Sequence, residues 1–192
     1  LYTYGYGVEP DGIKAMNYYA QALDSDDFAT RNKAKCQTGL LYMHGLAGVE
    51  QDYGQAMLWY SRAATEGYRG AYTQVGYLYD YGYGVEQDGA AAFDWYRRAA
   101  ALGEKAAMYN MGVCYLRGEA VEFNTEAGFR CFRQSAELGD NSGMYYLGKC
   151  YANGVGTSVD YEMARYWYNK ALASCPGSKL RNEITESLAK LP

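Results

Sequence analysis

The chain is poor in the residues that usually carry chemistry. Its 192 residues include one histidine, three prolines and five cysteines. His44 allows at most one Ser–His or Cys–His pair, and Cys36 lies about 12 Å away along the same predicted helix, too far for direct pairing. No two cysteines are spaced two to four residues apart, as zinc ligands usually are. The sequence therefore predicts a non-catalytic protein with no metal site and no cofactor.

Long runs of basic residues and long runs of apolar residues are also missing. The chain has 18 Lys and Arg against 22 Asp and Glu, with a formal net charge of −4, and no basic run. Affinity for nucleic acid driven by phosphate contacts should be weak. No apolar stretch approaches the roughly 20 residues that a membrane-spanning helix needs. We therefore expect neither nucleic-acid binding nor membrane insertion by this segment. Because the chain begins inside a repeat, we also expect the natural protein to extend upstream of Leu1.

Glycine and tyrosine, at 23 each, are abundant and recur with a fixed period. The motif Gly-Tyr-Gly-Val-Glu at 82–86 repeats at 5–9, returns with one inserted residue at 45–49, and is partly present at 154–156. A glycine three residues before a tyrosine returns in steps of 37, 36 and 36 residues, at Gly39/Tyr42, Gly76/Tyr79, Gly112/Tyr115 and Gly148/Tyr151. A period in this range is typical of stacked structural repeats, since one such unit cannot bury its apolar face alone.

Each repeat is interpreted as two helices. In the unit from Gly70 to Gly103, the first apolar set has helical spacing and ends at the Gly82–Gly84 pair, which breaks the helix. Asp88 can then cap a second helix, and Gly103 can end it. The two apolar sets are Ala71, Val75, Leu78 and Tyr79, then Ala92, Trp95, Tyr96, Ala99 and Ala100.

The periodicity predicts an all-α fold of about ten helices. We expect a partial repeat at 1–35 that contains only its second helix. Its connection to the next repeat is longer than in the other repeats, and we expect a longer second helix or a bulge there. Full repeats follow at 36–71, 72–107, 108–143 and 144–175. A capping helix at 176–192 has a narrow apolar stripe, formed by Leu180, Ile184, Leu188 and Leu191.

The cysteines fit this repeat. Cys114 and Cys150 occupy the position of the core residues Leu41 and Leu78, and Cys131 occupies a tryptophan position. We interpret them as small buried apolar residues. Unpaired thiols favour a reducing compartment such as the cytoplasm, while a periplasmic or secreted location stays open.

The repeat, written Leu-Gly-x-Leu-Tyr-x-x-Gly-x-Gly-Val and then Ala-x-x-Trp-Tyr-x-x-Ala-Ala, resembles the Sel-one-like (Sel1-like) repeat family, relatives of the tetratricopeptide repeats. The resemblance implies an α–α superhelix, a right-handed solenoid of antiparallel helix pairs, and a role as an adaptor that assembles proteins. A cysteine-rich bacterial branch of the family staples each repeat with a disulfide. Residues such as Ala64 and Ala71 occupy those positions here, which argues against that branch.

By analogy with tetratricopeptide arrays, the first helix of each repeat should line a concave face that binds a protein or peptide. Cys36 and Ala152 share its register with the principal candidates, and Arg117 and Lys149 would suit an acidic or carboxylate-ended peptide. The tyrosines either contact the partner or pack on one another across adjacent first helices. The candidates are Leu40, Met43, His44, Thr73, Tyr77, Asp80, Tyr81, Tyr109, Val113, Leu116, Arg117, Tyr145, Lys149 and Asn153.

Two other functions are alternatives to a protein-interaction adaptor. Tyrosines that stack on sugar rings would suit a non-catalytic binder of cell-envelope glycan or peptidoglycan. Ser187-Leu188-Ala189-Lys190 fits the Ser-x-x-Lys pattern of serine β-lactamases. However, it lies in the predicted capping helix, and the chain contains neither Lys-Thr-Gly nor Ser-Asp-Asn. A β-lactam-hydrolysing enzyme is therefore the least favoured of the three functions.

Overall fold

The structure is a computed structural model that describes residues 11–175 and 178–192, and its regular elements there are all helical. This confirms the all-α fold class expected from the sequence. The Gly-Tyr-Gly motif at 5–9 lies outside the described residues. The described helices are α1 Gly12–Leu23, α2 Phe28–His44, α3 Tyr53–Thr65, α4 Arg69–Tyr81, α5 Gly89–Ala101, α6 Lys105–Arg117, α7 Thr125–Glu137, α8 Asn141–Asn153, α9 Tyr161–Ser174 and α10 Ser178–Ala189, with a 3₁₀ turn at Leu46–Gly48.

The chain divides into two compact units, residues 1–95 and 96–192. In the first unit, helices that are neighbours in the sequence pack together from α1 to α4. In the second unit, α6 to α9 pack in the same way, and α10 packs on α8 and α9. Each unit has its own apolar core, built around Tyr60, Val75 and Leu78 in the first and around Phe132, Leu147 and Tyr168 in the second.

The turn inside each repeat is built from the same parts. The first helix ends at a glycine in the left-handed region, such as Gly82 with φ +68°. The second helix begins after an Asp or Asn cap, and the cap predicted at Asp88 is confirmed, since its carboxylate accepts the Ala91 N–H at 2.9 Å. The Asp88 N–H in turn donates to the Tyr79 carbonyl at 3.0 Å. Equivalent bonds at 2.9–3.1 Å join Asp52 to Tyr42, Asn124 to Tyr115 and Asp160 to Tyr151.

The periodic glycine of the first helix lies against an aromatic ring of the second helix. A Cβ at Gly39 would be 2.9 Å from the Tyr60 ring, and one at Gly148 would be 2.6 Å from the Tyr168 ring. Gly112 has the same relationship to Phe132, at 2.6 Å. Real Cβ atoms do not approach this closely, so the period of about 36 residues reflects a close helix–ring contact within each repeat.

The longer exit from the first repeat differs from the expectation. α1 ends at Leu23, and the additional residues form the first turn of α2, which has 17 residues where α4, α6 and α8 have 13. Asp27 caps this turn through the Thr30 N–H. The buried Asn32 side chain donates to the Glu66 carboxylate at the end of α3, at 2.9 Å. The Asp27 cap satisfies a backbone N–H of this turn, and the bond between Asn32 and Glu66 ties the turn to the end of α3.

The predicted apolar stripe of α10 packs on the core of the second unit. Ile184 is fully buried, and its neighbours on the stripe are partly buried against the same core. The Arg181 guanidinium donates to the carbonyls of Leu172 and Cys175, at 3.1 and 3.0 Å. These bonds satisfy carbonyl groups at the end of α9. The opposite side of α10 is polar and exposed, at Asn182, Glu183 and Glu186.

Candidate partner-binding surface

The structure separates the candidate residues by exposure, and each unit is described by itself. In the first unit, Met43 and Thr73 are buried, Leu40, Tyr77 and Asp80 are half-buried, and His44 and Tyr81 are exposed. In the second unit, Tyr145 is buried, Tyr109, Val113, Leu116 and Lys149 are half-buried, and Arg117 and Asn153 are exposed. The three buried side chains have little surface to offer a partner.

Four tyrosines of the first unit form one aromatic cluster, which we call the tyrosine cluster: Tyr53, Tyr77, Tyr81 and Tyr83. The rings of Tyr53 and Tyr83 stack with their centroids 4.5 Å apart and their planes within 8°. Tyr77 contacts Tyr81 at 4.5 Å, and Tyr81 contacts Tyr83 at 5.7 Å. The register of the first helix selects Tyr77 and Tyr81, but it does not select Tyr53 and Tyr83. The Gly-Tyr-Gly motif was the available signal for Tyr83.

The tyrosine cluster is partly buried but reaches the surface. Burial, together with the neighbouring Tyr81 and Tyr83, raises the pKa of Tyr77, so its hydroxyl stays protonated at neutral pH. Tyr81 is 44 % exposed. The cluster therefore presents aromatic surface through Tyr81.

Four tyrosines of the second unit, on α6, α8 and α9, pack on one another. Tyr109 of α6 meets Tyr146 of α8 edge to face, with centroids 5.2 Å apart. Tyr145 contacts Tyr146 and Tyr168, and its hydroxyl lies 3.2 Å from that of Ser187. The Lys149 ammonium lies 4.8 Å from the centre of the Tyr146 ring. This surface combines half-buried rings with a positive charge held over them.

The geometry offers little support for catalysis at the residues considered in the sequence. Burial raises the pKa of the Cys36 thiol to about 12, so it is not a thiolate at neutral pH. Ser187 donates its hydroxyl to the Glu183 carbonyl at 2.8 Å. Within residues 11–175 and 178–192, no three His, Cys, Asp or Glu side chains gather as a metal site would require.

The family model described as the Sel1 repeat matches five segments, residues 1–27, 32–68, 70–104, 105–140 and 141–174. These matches cover most of the chain. It belongs to the Sel1 repeat family. Sel1 repeat proteins typically act as protein-interaction scaffolds, and the family is generally non-catalytic. α10 lies beyond the last matched segment.

Solved structures of Sel1 repeat proteins resemble the chain. A Sel1 repeat protein from Oxalobacter formigenes is 29 % identical, with a TM-score of 0.81, and the match covers 98 % of this chain and 71 % of that one. The protein c5321, described as a protective antigen of uropathogenic Escherichia coli with an SLR fold, is 36 % identical, with a TM-score of 0.72. That match covers 89 % of this chain and 35 % of c5321, so the chain spans about a third of c5321.

No curated protein matches the chain. Among the helices that the structure describes, none combines the length and the apolar character needed to cross a bilayer.

Proposed function

We propose that this Sel1 repeat chain is a non-catalytic adaptor that binds a polypeptide partner on the side of the repeats formed by their first helices. The observation that carries the proposal is the tyrosine cluster. Two of its members lie on the first helix α4, and the other two lie at the turn after α4 and at the start of α3. Family membership supports the role in protein interaction.

The cluster has the properties of a binding anchor. Tyrosine is enriched among the residues that dominate binding energy, because it buries a large rigid group and can still donate a hydrogen bond. The rings of Tyr77, Tyr81 and Tyr83 already hold one another in place. A partner would therefore order few additional side chains when it binds, which lowers the entropic cost of association.

A polar side chain at the end of another first helix of the same unit would suit the edge of such an interface. His44 is exposed at the last residue of α2. Protein interfaces commonly place apolar groups at the centre and polar groups at the rim. We infer that the tyrosine cluster supplies affinity, and that His44 contributes to the choice of partner.

A glycan is the second candidate ligand, and the ring geometry disfavours it. Sugar rings stack on the open face of an aromatic side chain. In the tyrosine cluster, Tyr53 and Tyr83 already cover one face of each other's ring, at a centroid separation of 4.5 Å. Each of these two rings therefore has only one face left for a sugar, which makes the pair a poorer platform for sugar stacking than two separate rings.

Site-specific photo-crosslinking tests the proposal. A benzophenone amino acid replaces Tyr81 in one variant and Tyr166 in another, and both are irradiated in lysate of the native source. Tyr166 is a matched control, since it is 53 % exposed and lies on the second helix α9. We expect protease-sensitive adducts from position 81 and few from position 166. Equal yields at both positions, or adducts that contain glycan or muropeptide, would overturn the proposal.

A further inference from the structure

A positively charged cavity of about 270 Å³ lies in the second unit, between α8, the start of α9 and α10. We call it the α8–α10 cavity. Nine residues line it: Lys149, Ala152, Asn153, Tyr161, Tyr168, Ser187, Lys190, Leu191 and Pro192. Two of the nine are lysines, and no Asp or Glu side chain is among them.

The two lysines carry charge that the protein does not neutralise. Among the described residues, neither Lys149 nor Lys190 forms an ion pair. The nearest acidic residues along α10, Glu183 and Glu186, do not line the cavity. Asp160 precedes α9, but its carboxylate accepts the Met163 N–H at 2.9 Å and caps that helix. Pro192, which also lines the cavity, is the last residue of the sequence, and its carboxyl-end oxygen is bonded by the Arg165 guanidinium. With that oxygen paired to Arg165, the two lysines give the cavity a net positive potential, which would attract an anion.

Lys149 is held in position before any ligand arrives. Its ammonium lies 5.5 Å from the centre of the Tyr145 ring and 4.8 Å from that of Tyr146. The Tyr145 hydroxyl is in turn 3.2 Å from the hydroxyl of Ser187 on α10. These contacts restrict the lysine side chain, so that less conformational entropy is lost when it pairs with a ligand.

The Tyr168 hydroxyl and the Asn153 amide are neutral groups in the cavity. Burial, and to a smaller extent the neighbouring Tyr145, raises the pKa of Tyr168 to about 12, so its hydroxyl adds no negative charge at neutral pH. The Asn153 amide donates to the Lys149 carbonyl at 2.8 Å through one of its two N–H groups. The other N–H group and the amide oxygen are available to a ligand.

From this arrangement we propose that the α8–α10 cavity binds the carboxylate of an Asp or Glu side chain on a polypeptide partner. The two ammonium groups are complementary in charge to a carboxylate and can form charge-assisted hydrogen bonds with its oxygens. Ala152 and Leu191 offer apolar surface to the methylene groups of an acidic side chain. α10 supplies Ser187, and Lys190 follows the last residue of α10. Both lie beyond the repeat matches, whereas Lys149 and Asn153 lie within the last of them. The complete site is therefore a property of this chain and is not carried by the repeat alone.

The claim that the carboxylate belongs to a polypeptide rests on the proposed function. The claim that the cavity binds an anion does not. The test titrates the isotopically labelled chain with a blocked peptide, Ac-Ala-Glu-Glu-Ala-NH2, and follows the amide signals of Asn153 and Ser187 by NMR. The neutral peptide Ac-Ala-Gln-Gln-Ala-NH2 and free glutarate are titrated in parallel. We expect weak, salt-sensitive binding of the Glu peptide and no binding of the Gln peptide.

Variants assign the binding to the cavity. Lys149→Gln and Lys190→Gln should each weaken binding of the Glu peptide roughly threefold to fivefold, and the double variant should abolish it. Lys179→Gln is the matched control, because it removes the same charge from an exposed position on α10 that does not line the cavity. Circular dichroism would verify that each variant is folded.

Each outcome has a defined meaning. A similar loss in Lys179→Gln, or none in the cavity variants, would overturn the proposal, because the attraction would then be non-specific. Binding of glutarate without binding of the Glu peptide would leave an anion site but reject a polypeptide source. If neither acid binds while Tyr81 still crosslinks to a polypeptide, the cavity proposal fails and the proposed function stands.

Discussion

Gly84 packs directly against the backbone of Tyr53. With φ at +73°, a Cβ at Gly84 would lie 2.5 Å from the Tyr53 carbonyl carbon and 2.8 Å from the next backbone nitrogen. Tyr53 is the first residue of α3, in the repeat that precedes Gly84. Gly156 repeats the relationship in the second unit, where a Cβ would lie 2.7 Å from the Thr125 carbonyl carbon. The second glycine of the Gly-x-Gly motif thus joins one repeat to the one before it.

Gly84→Ala should therefore be strongly destabilising. The substitution forces an L-residue into the left-handed region and drives its Cβ into backbone atoms that cannot move aside. We expect the free energy of unfolding to fall by at least about 2 kcal/mol. Urea unfolding followed by circular dichroism would measure the loss.

Gly67→Ala is the control for this prediction. Gly67 has φ +85°, but a Cβ there would meet no atom within 4 Å. The Gly67→Ala variant should therefore incur only the conformational penalty of the left-handed region, about 1 kcal/mol. If the two variants lost equal stability, the contact with Tyr53 would have no energetic weight.

The sequence predicts the local parts of this fold well. Gly82 ends α4 and Asp88 caps α5 as expected, because both signals act within a few residues of the chain. The contact of Gly84 with Tyr53 was missed, since it depends on how one repeat lies against the previous one. For the same reason, stacking between Tyr53 and Tyr83 could not be predicted from the period of the repeat.

The candidate surface could be predicted in part. The register of the first helix selects Tyr77 and Tyr81, which lie in the tyrosine cluster. The same register also selects Tyr145, which is buried. The Tyr145 hydroxyl contacts the hydroxyl of Ser187 on α10, a helix outside the repeats. A pattern taken from the repeat alone cannot anticipate contacts made by a helix that is not part of it.

A pH-dependent contribution to stability should come from Glu66. Its carboxylate is bonded to Lys35, accepts the Asn32 amide at 2.9 Å, and lies 3.5 Å from the Arg31 Nε. The bond from Lys35, followed by that from Asn32, lowers the pKa of Glu66 from 4.5 to about 2. The folded state therefore favours the ionised form. The resulting stability is present above the ordinary pKa and is lost as the pH falls toward 2.

Glu66→Gln tests this dependence. We expect the variant to have a lower Tm than the parent at neutral pH, and the difference to shrink progressively below about pH 4.5 as the parent is protonated. Because the Glu66 side chain is 39 % exposed, solvent screening should keep the effect modest. Thermal unfolding at a series of pH values would measure both curves.

Glu137→Gln is the matched control for Glu66. Its partner Arg133 is 3.9 Å away, and both side chains are at least half exposed. Such surface pairs contribute little to stability, so the Tm of this variant should follow that of the parent at every pH. A difference between parent and Glu66→Gln that did not change with pH would contradict the assignment to the ionised carboxylate.

Ile184→Ala should loosen the packing of α10 on the core of the second unit. Ile184 is completely buried in the core that it shares with Leu147 and Trp167. Its truncation removes apolar contacts and leaves a cavity, at a cost of about 2–5 kcal/mol. Because α10 is a single short helix at the edge of the core, we expect the loss to appear first as local opening of α10.

Hydrogen exchange measured by mass spectrometry distinguishes local opening from general destabilisation. In Ile184→Ala, peptides from residues 178–192 should exchange faster, while peptides from α8 should retain most of their protection. Thr185→Ala, at the exposed neighbouring position, should change neither. Since Lys190 directly follows α10 and lines the α8–α10 cavity, the Ile184 variant should also bind the Glu peptide less tightly. Undiminished protection of α10 would show that its other contacts suffice to hold it in place.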